Sequence, residues 1–145
     1  MKHNLNRIES AQPLGGTLME IHYTGGQVVR VDFAELAERL AVFADLKKPA
    51  FFRRAAVADW GHTLEWPNGE GLDADRLMEM ALEQAGRTDT LAFRRWQDRH
   101  GLSLAQAADA IGLSRRTVSQ YRTGARHVPR TVALACKGWE TERAR

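Results

Sequence analysis

The sequence has one cysteine and no internal repeat, low-complexity tract or long apolar run, and these shortages exclude several kinds of protein. Cys136 cannot form a disulfide within the chain, and its apolar neighbours, residues 132–135, predict that it is a small core residue. No apolar stretch approaches the roughly 18 residues that a membrane-spanning helix needs, and no signal peptide opens the chain. We therefore expect a cytoplasmic protein that has no membrane partner.

Metal-binding and catalytic sites have little support in the sequence. The histidines are scattered without metal-ligand spacing, at His3, His22, His62, His100 and His127. Glu70, Asp73 and Asp75 crowd one turn near His62, and a general acid–base pair can be drawn from them. However, aspartate is favoured at a helix N-terminus by the helix dipole, and a charged loop is ordinarily just solvated. We expect no catalytic residue, no metal and no cofactor.

Charge is divided unequally along the chain, although the formal net charge is only +3. Residues 1–86 carry nine Lys and Arg against 13 Asp and Glu, which gives −4. Residues 87–145 carry 12 basic residues against five acidic ones, which gives +7. Such asymmetry indicates two domains, of which the basic one suits a nucleic-acid partner. The acidic half is expected to repel DNA or to bind something basic.

Residues 101–128 contain the start and stop signals of two short helices. Ser103 and Gln106 fit a capping box, in which each side chain satisfies a free backbone N–H at the helix entry. Ser114 is the N-cap expected for the second helix. Gly112 between the helices permits the left-handed backbone of a sharp turn.

The apolar residues of this stretch follow helical spacing. The first helix is predicted to bury Leu104, Ala108 and Ile111, and the second is predicted to bury Val118 and Tyr121. Two amphipathic helices joined by a tight turn form a helix-turn-helix.

The outward face of the second helix, residues 115–123, suits the DNA major groove. Steps of 100° place Arg116 and Gln120 nearly opposite its buried side, and Arg115 lies at its exposed N-terminal end. Arginine pairs with guanine and glutamine with adenine by bidentate hydrogen bonds. These three residues are therefore predicted to contact bases. The alternative is an ordinary helical bundle whose charged face is merely solvated.

Other polar residues in or near the motif are predicted to contact the DNA backbone, which passes alongside a helix docked in this way. These residues are Ser103, Thr117, Ser119, Arg122, Arg126, His127 and Arg130.

Residues from about 91 to 139 resemble the lambda-repressor-like (Xre-type) helix-turn-helix domains. Those domains often follow the pattern G-L-S-Q-x-x-x-A-x-x-x-G-[VL]-S-x-x-x-[VI]-S-x-[YW]-x-x-G. One position departs from it, because the frequent Gln, which commonly touches a phosphate, is Leu104 here. The resemblance implies that bases are contacted by Arg115, Arg116 and Gln120. The matching residues are Gly101, Leu102, Ser103, Ala108, Gly112, Leu113, Ser114, Val118, Ser119, Tyr121 and Gly124.

The first half of the chain alternates between strand and helix signals. Strands are predicted at residues 7–12, 17–23 and 28–31, with the first stopped by the turn-forming residues 13–16. A helix capped by Asp32 is predicted to follow, with an apolar side formed by Phe33, Leu36, Leu40 and Phe43. A second hairpin is predicted around Gly61. Trp60 and Trp66 in its strands are expected in the core, the alternative being that they stack on a ligand or partner. The last predicted helix of this half spans residues 72–85, with Asp73 as its cap.

Residues 58–77 resemble a bacterial domain of unknown function that carries a W-P-N-G-x-[DG]-L-x-x-[DE]-x-L signature. That resemblance implies a small α+β fold and an association with toxin–antitoxin pairs, without an established activity. The matching residues are Trp66, Pro67, Asn68, Gly69, Leu72, Asp75 and Leu77.

These observations predict an α+β protein with two domains, an α+β domain at residues 1–86 and a helix-turn-helix domain at residues 87–145. We expect a homodimer that binds double-stranded DNA and regulates transcription, because a single recognition helix touches few base pairs. Two alternatives stay open for the first domain. One is that this domain binds a toxin-like protein, as an antitoxin does. The other is that it senses a small ligand bound between its sheet and the helix that begins at Phe33.

Overall fold

The computed structural model describes residues 7–144, and the chain divides into two units between Gln84 and Ala85. Within those residues, strands occur only in the first unit, and the second unit is helical. The predicted α+β fold class is therefore confirmed. The domain boundary predicted after Gly86 stays a prediction. Of the described helices, none has both the length and the apolar character that crossing a bilayer requires.

The first unit consists, in chain order, of β1 (Ile8–Gly15), β2 (Leu18–Tyr23), β3 (Val28–Asp32), α1 (Ala34–Arg39), a 3-10 helix (Ala41–Lys47), α2 (Pro49–Phe52), β4 (Ala56–Ala58), a 3-10 turn (Asp59–Gly61), β5 (Thr63–Glu65), β6 (Gly71–Asp73) and α3 (Ala74–Gln84). The second unit consists of α4 (Thr88–Arg99), α5 (Leu104–Ile111), α6 (Arg115–Thr123) and α7 (Arg130–Arg143).

The first sheet is antiparallel in the order β1-β2-β3, and its central strand confirms the alternation expected from the sequence. Met19, Ile21 and Tyr23 are buried on one face, whereas the residues between them are only half-buried. The predicted end of the first strand at Gln12 is wrong, because β1 continues through Pro13 to Gly15. A proline is tolerated here because β1 is an edge strand. On the open side of such a strand, a residue without an N–H breaks no hydrogen bond between strands.

The single helix predicted after β3 is also wrong. Helix α1 ends at Arg39 because Leu40 is extended, with φ −117° and ψ 119°, and a 3-10 helix follows. This break leaves Leu40 exposed and buries Phe43 and Leu46. Burial of these two side chains outweighs the local preference for continuing one helix. Asp32 still accepts a hydrogen bond from the backbone N–H of Ala34, at 2.9 Å.

The second sheet has the order β4-β5-β6 and contains the predicted hairpin of β4 and β5. Strand β6, which the sequence did not predict, pairs with β5 across a turn. In that turn, Asn68 Oδ1 accepts a hydrogen bond from the backbone N–H of Glu70 at 3.1 Å, and Gly69 has a φ of +88°. Asp73 caps α3 as predicted, since its Oδ1 accepts from the N–H of Arg76 at 2.7 Å.

The two tryptophans of this region have opposite environments. Trp66 is buried as predicted, and its indole N–H donates to the carbonyl of Phe52 at 3.1 Å. Its ring packs against Phe33 and Phe52, at centroid distances of 5.4 and 6.1 Å. The core position predicted for Trp60 is wrong, because this side chain is 87% exposed on a turn where its φ is +57°.

The second unit is built around one apolar cluster that draws on all four helices. Leu91, Phe93 and Trp96 of α4 are buried. Cys136 of α7 is buried as predicted, and burial raises the pKa of its thiol to about 11. The cluster consists of Phe93, Trp96, Leu102, Ala107, Ala108, Val118, Tyr121, Val132 and Cys136.

Candidate nucleic-acid interface

The first helix of the motif, α5, begins with the predicted capping box. The hydroxyl of Ser103 accepts a hydrogen bond from the backbone N–H of Gln106 at 3.0 Å. In return, Gln106 Oε1 accepts from the N–H of Ser103 at 2.9 Å. The helix ends at Gly112, whose φ of +73° is the left-handed conformation that the turn needs. Both ends of α5 are therefore defined locally by the sequence.

The second helix, α6, is also delimited as predicted. Ser114 Oγ accepts from the backbone N–H of Thr117 at 3.1 Å. Gly124, with a φ of +83°, ends the helix. Helix α6 therefore has nine residues, and its orientation depends on its contacts with the other helices.

The buried side of α6 packs on small residues of α5. Val118 and Tyr121 are almost fully buried, and Ala107 and Ala108 present little volume beneath them. Tyr121 also meets Phe93 edge-on, with ring centroids 5.5 Å apart. Of the residues predicted to be buried on α5, Ala108 is buried, whereas Leu104 and Ile111 are only half-buried at the edge of the cluster.

The outward side of α6 carries the residues predicted to contact bases. Arg115 and Arg116 are exposed at its N-terminal end, and neither pairs with a carboxylate of the described residues. Gln120, one turn further along, is half-buried. Two consecutive arginines are thus exposed at one helix end, without a carboxylate partner in the part of the chain that is described.

The predicted backbone-contacting residues have three different environments. Ser103, Thr117 and Ser119 are half-buried on α5 and α6, and Ser103 is already used as a cap. Arg126, His127 and Arg130 are exposed beyond the end of α6. His127 Nδ1 lies 3.4 Å from a carboxylate oxygen of Asp89.

Arg122 differs from the rest of this set. Its guanidinium turns toward α4, with Nη1 3.0 Å from Asp98 Oδ1 and 3.2 Å from Gln97 Oε1. Only 11% of its side chain is exposed.

Sequence reasoning missed a polar stripe on α4 that faces the motif. Thr90, Arg94 and Gln97 are all buried at spacings of four and three. Arg94 Nη1 donates to the carbonyl of Arg122 at 2.9 Å, and Gln97 Nε2 donates to the carbonyl of Leu102 at 3.0 Å. The helical spacing is visible in the sequence, but polar residues at such spacing ordinarily face solvent. Their burial becomes evident only from the packed helices.

The start of α4 holds the segment that follows α6. Arg87 donates to the carbonyl of Gly124 at 3.0 Å, and Asp89 accepts from the backbone N–H of Val128 at 2.8 Å. Burial by itself raises the pKa of Asp89, but the hydrogen bonds from Val128 and Thr90 and the positive charge of Arg87 outweigh it. The pKa of Asp89 therefore lies below its ordinary value.

The first unit offers less that is specific to a ligand. A pocket of about 290 Å³ lies between α1 and α3, and its walls are mostly charged and polar. Among residues 7–144, no three His, Cys, Asp or Glu side chains are grouped so that they could hold a metal ion. The pocket is lined by Asp32, Glu35, Leu36, Arg39, Arg76, Met80, Glu83 and Gln84.

Comparisons with known proteins identify both parts of the chain. Residues 8–83 match the family described as a protein of unknown function (DUF2442), and residues 91–144 match a family described as a helix-turn-helix domain. The crystal structure of NE0471 from Nitrosomonas europaea, described as a candidate DNA-binding protein, is 35% identical in sequence and has a TM-score of 0.66. This likeness covers 95% of the chain described here and 88% of the other. No curated protein matches the sequence.

The helix-turn-helix predicted from the sequence is confirmed, and so is a domain of unknown function before it. The finer Xre-type assignment and the W-P-N-G signature stay predictions. The DUF2442 match spans more than half of the chain, and the solved relative spans nearly all of it. The chain therefore belongs to the DUF2442 family and carries a helix-turn-helix domain after the DUF2442 domain.

Proposed function

We propose that this protein is a sequence-specific DNA-binding regulator of transcription, of the Xre-type, that acts without enzymatic activity. The observation that carries the proposal is the exposed pair Arg115 and Arg116 at the N-terminal end of α6. An α-helix fits the major groove, and helix-turn-helix proteins contact base edges with this end of their second helix. The description of NE0471 supports the same function.

The proposed contacts divide into two groups with different consequences. Arg115, Arg116 and Gln120 contact bases and supply specificity. The exposed residues beyond α6, including Arg126 and His127, contact phosphates and supply affinity that falls with salt. Ser103, Thr117, Ser119 and Arg130 also contact phosphates.

The protein is proposed to act as a cytoplasmic homodimer. One recognition helix contacts only a few base pairs, and two-fold symmetry doubles these contacts. The preferred site is then an inverted repeat with half-sites about 34–36 Å apart. Sedimentation on the selected duplex tests this arrangement, and a monomer bound to one asymmetric half-site would contradict it.

Selection of binding sites from random duplex DNA, followed by titration of variants, tests the function. Arg116→Ala is expected to cost about 1–3 kcal/mol on the selected site and to relax selectivity at one or two positions. Arg126→Ala is expected to weaken selected and scrambled duplexes alike, and to lower the salt slope by about one unit. Both side chains are exposed, so neither change should unfold the unit, which circular dichroism checks first.

The outcomes of this titration separate three conclusions. Equal non-specific losses from Arg116→Ala and Arg126→Ala would mean that α6 does not contact bases. No loss from either variant would refute DNA binding altogether. Selective loss from the first and uniform loss from the second would support the proposal.

One observation favours a second role for the first unit, which is binding to a toxin-like protein. Trp60 is 87% exposed and is held on a turn in which both it and Asp59 have positive φ. Tryptophan is enriched among the residues that dominate protein–protein interfaces. Trp60→Ala should then abolish binding of a copurified partner and leave DNA affinity unchanged. A copurified small molecule would instead favour a ligand-sensing regulator.

A further inference from the structure

Arg122 is fixed to α4 at both its side chain and its backbone. Its guanidinium contacts Asp98 and Gln97, at 3.0 and 3.2 Å, and its carbonyl accepts a hydrogen bond from Arg94 at 2.9 Å. A second backbone carbonyl at this end of α6 also accepts a hydrogen bond from an arginine, because Arg87, the N-cap residue of α4, donates to the carbonyl of Gly124. The C-terminal end of α6 is thus attached to α4 and its N-cap by several polar groups.

The orientation of this guanidinium argues against a role on DNA. Only 11% of the Arg122 side chain is exposed, whereas Arg126 and Arg130 are exposed residues. A contact from Arg122 to a phosphate would compete with the contacts that its guanidinium makes to Asp98 and Gln97. Loss of the contact to Asp98 would leave that carboxylate without its cationic partner, and its negative charge would repel DNA.

We propose that Arg122 positions the recognition helix through Asp98 and Gln97 and does not bind a phosphate. Because α6 is a single helix of nine residues, a change in the tilt of its last turn moves Arg115 and Arg116 at its other end. The bridge to α4 therefore helps to set where these two side chains meet the bases. This inference rests on the proposed DNA-binding function.

Removal of the Asp98 charge distinguishes the two roles by the sign of its effect. If Arg122 positions α6, Asp98→Asn weakens the bridge and lowers affinity for the selected duplex by about two- to fivefold, the range that a partly exposed ion pair supports. If Arg122 binds a phosphate, the same change frees the guanidinium and removes a repulsive charge, so affinity rises. Asp109→Asn is the matched control, because Asp109 is exposed on α5 and has no ion pair among the described residues.

Arg122→Ala supplies the second arm. If Arg122 positions α6, Arg122→Ala lowers the ratio of the affinities for selected and scrambled duplexes and leaves the salt slope unchanged. A phosphate contact would instead lower both affinities alike and reduce the slope by about one unit, as expected for Arg126→Ala. In the Arg122→Ala background, Asp98→Asn should cause no further loss of affinity, because the contact that it weakens is already absent.

All titrations are made with the full chain, at a temperature at which each variant is folded. If Asp98→Asn lowers the affinity and Asp109→Asn does not, the inference is supported even when Arg122→Ala does not fold. A higher affinity for Asp98→Asn, or a reduced salt slope for Arg122→Ala, would overturn it. If Arg116→Ala and Arg126→Ala also leave binding unchanged, the DNA-binding function fails and this inference fails with it.

Discussion

A Gly→Ala change at two positions of the second unit should have opposite effects on its stability. Gly112 has a φ of +73° at the end of α5, and an added Cβ would meet no atom within 4 Å other than those of its chain neighbours. Gly138 lies inside α7, and a Cβ there would likewise meet no atom within 4 Å beyond its chain neighbours and the backbone of its own helix. Because both sites have room for a methyl group, only the backbone conformation differs.

The magnitudes follow from that conformation. In the left-handed region, an L-residue costs about 1–2 kcal/mol, so Gly112→Ala should lower the free energy of unfolding by about that amount. Inside a helix, glycine is about 0.5–1 kcal/mol less favourable than alanine, so Gly138→Ala should raise it by a similar amount. For a unit of this size, each kcal/mol corresponds to about 4–8 °C in Tm.

Hydrogen exchange of the α5 and α6 amides measures this free energy for the second unit alone, whatever the first unit does. The slowest amides should exchange faster in Gly112→Ala and more slowly in Gly138→Ala. If Gly112→Ala were neutral or stabilising, the left-handed turn between α5 and α6 would not be required for the fold. The same sign for both variants would refute the reasoning from backbone conformation.

Three further predictions concern Cys136, Asp89 and the junction between the units. Burial raises the pKa of the Cys136 thiol to about 11, so this thiol should resist alkylation at pH 8 in the folded chain and react once denaturant unfolds it. Rapid labelling of the native protein would contradict its core position. The pKa of Asp89 in the folded chain lies below its unfolded value of about 3.9. The ionised Asp89 therefore stabilises the fold fully above about pH 3.9, and this stabilisation is lost as the pH falls through the folded pKa. Acid titration of unfolding should therefore be less steep in Asp89→Asn, and an unchanged curve would dismiss this role. Limited proteolysis should cut near Gly86 and release a helical fragment of residues 87–145, whereas a first cut within residues 103–121 would argue against the boundary.

The sequence alone determined the local features of the helix-turn-helix. Ser103, Gln106 and Ser114 cap helices through atoms only three residues away, and Gly112 meets a backbone requirement of its own position. The same holds for Asp73, which caps α3. Such interactions depend on sequence spacing and not on distant parts of the chain, so they can be inferred before the fold is known.

Only the tertiary structure decided which polar and aromatic side chains are buried. Arg94 and Gln97 lie inside because carbonyls of Arg122 and Leu102 are there to accept their hydrogen bonds, and the sequence does not show that pairing. Trp60 is exposed and Trp66 buried because the carbonyl of Phe52 and two phenyl rings surround only the second. Arg122 faces α4 for the same reason, since Asp98 lies 24 residues earlier and meets it only when the helices pack.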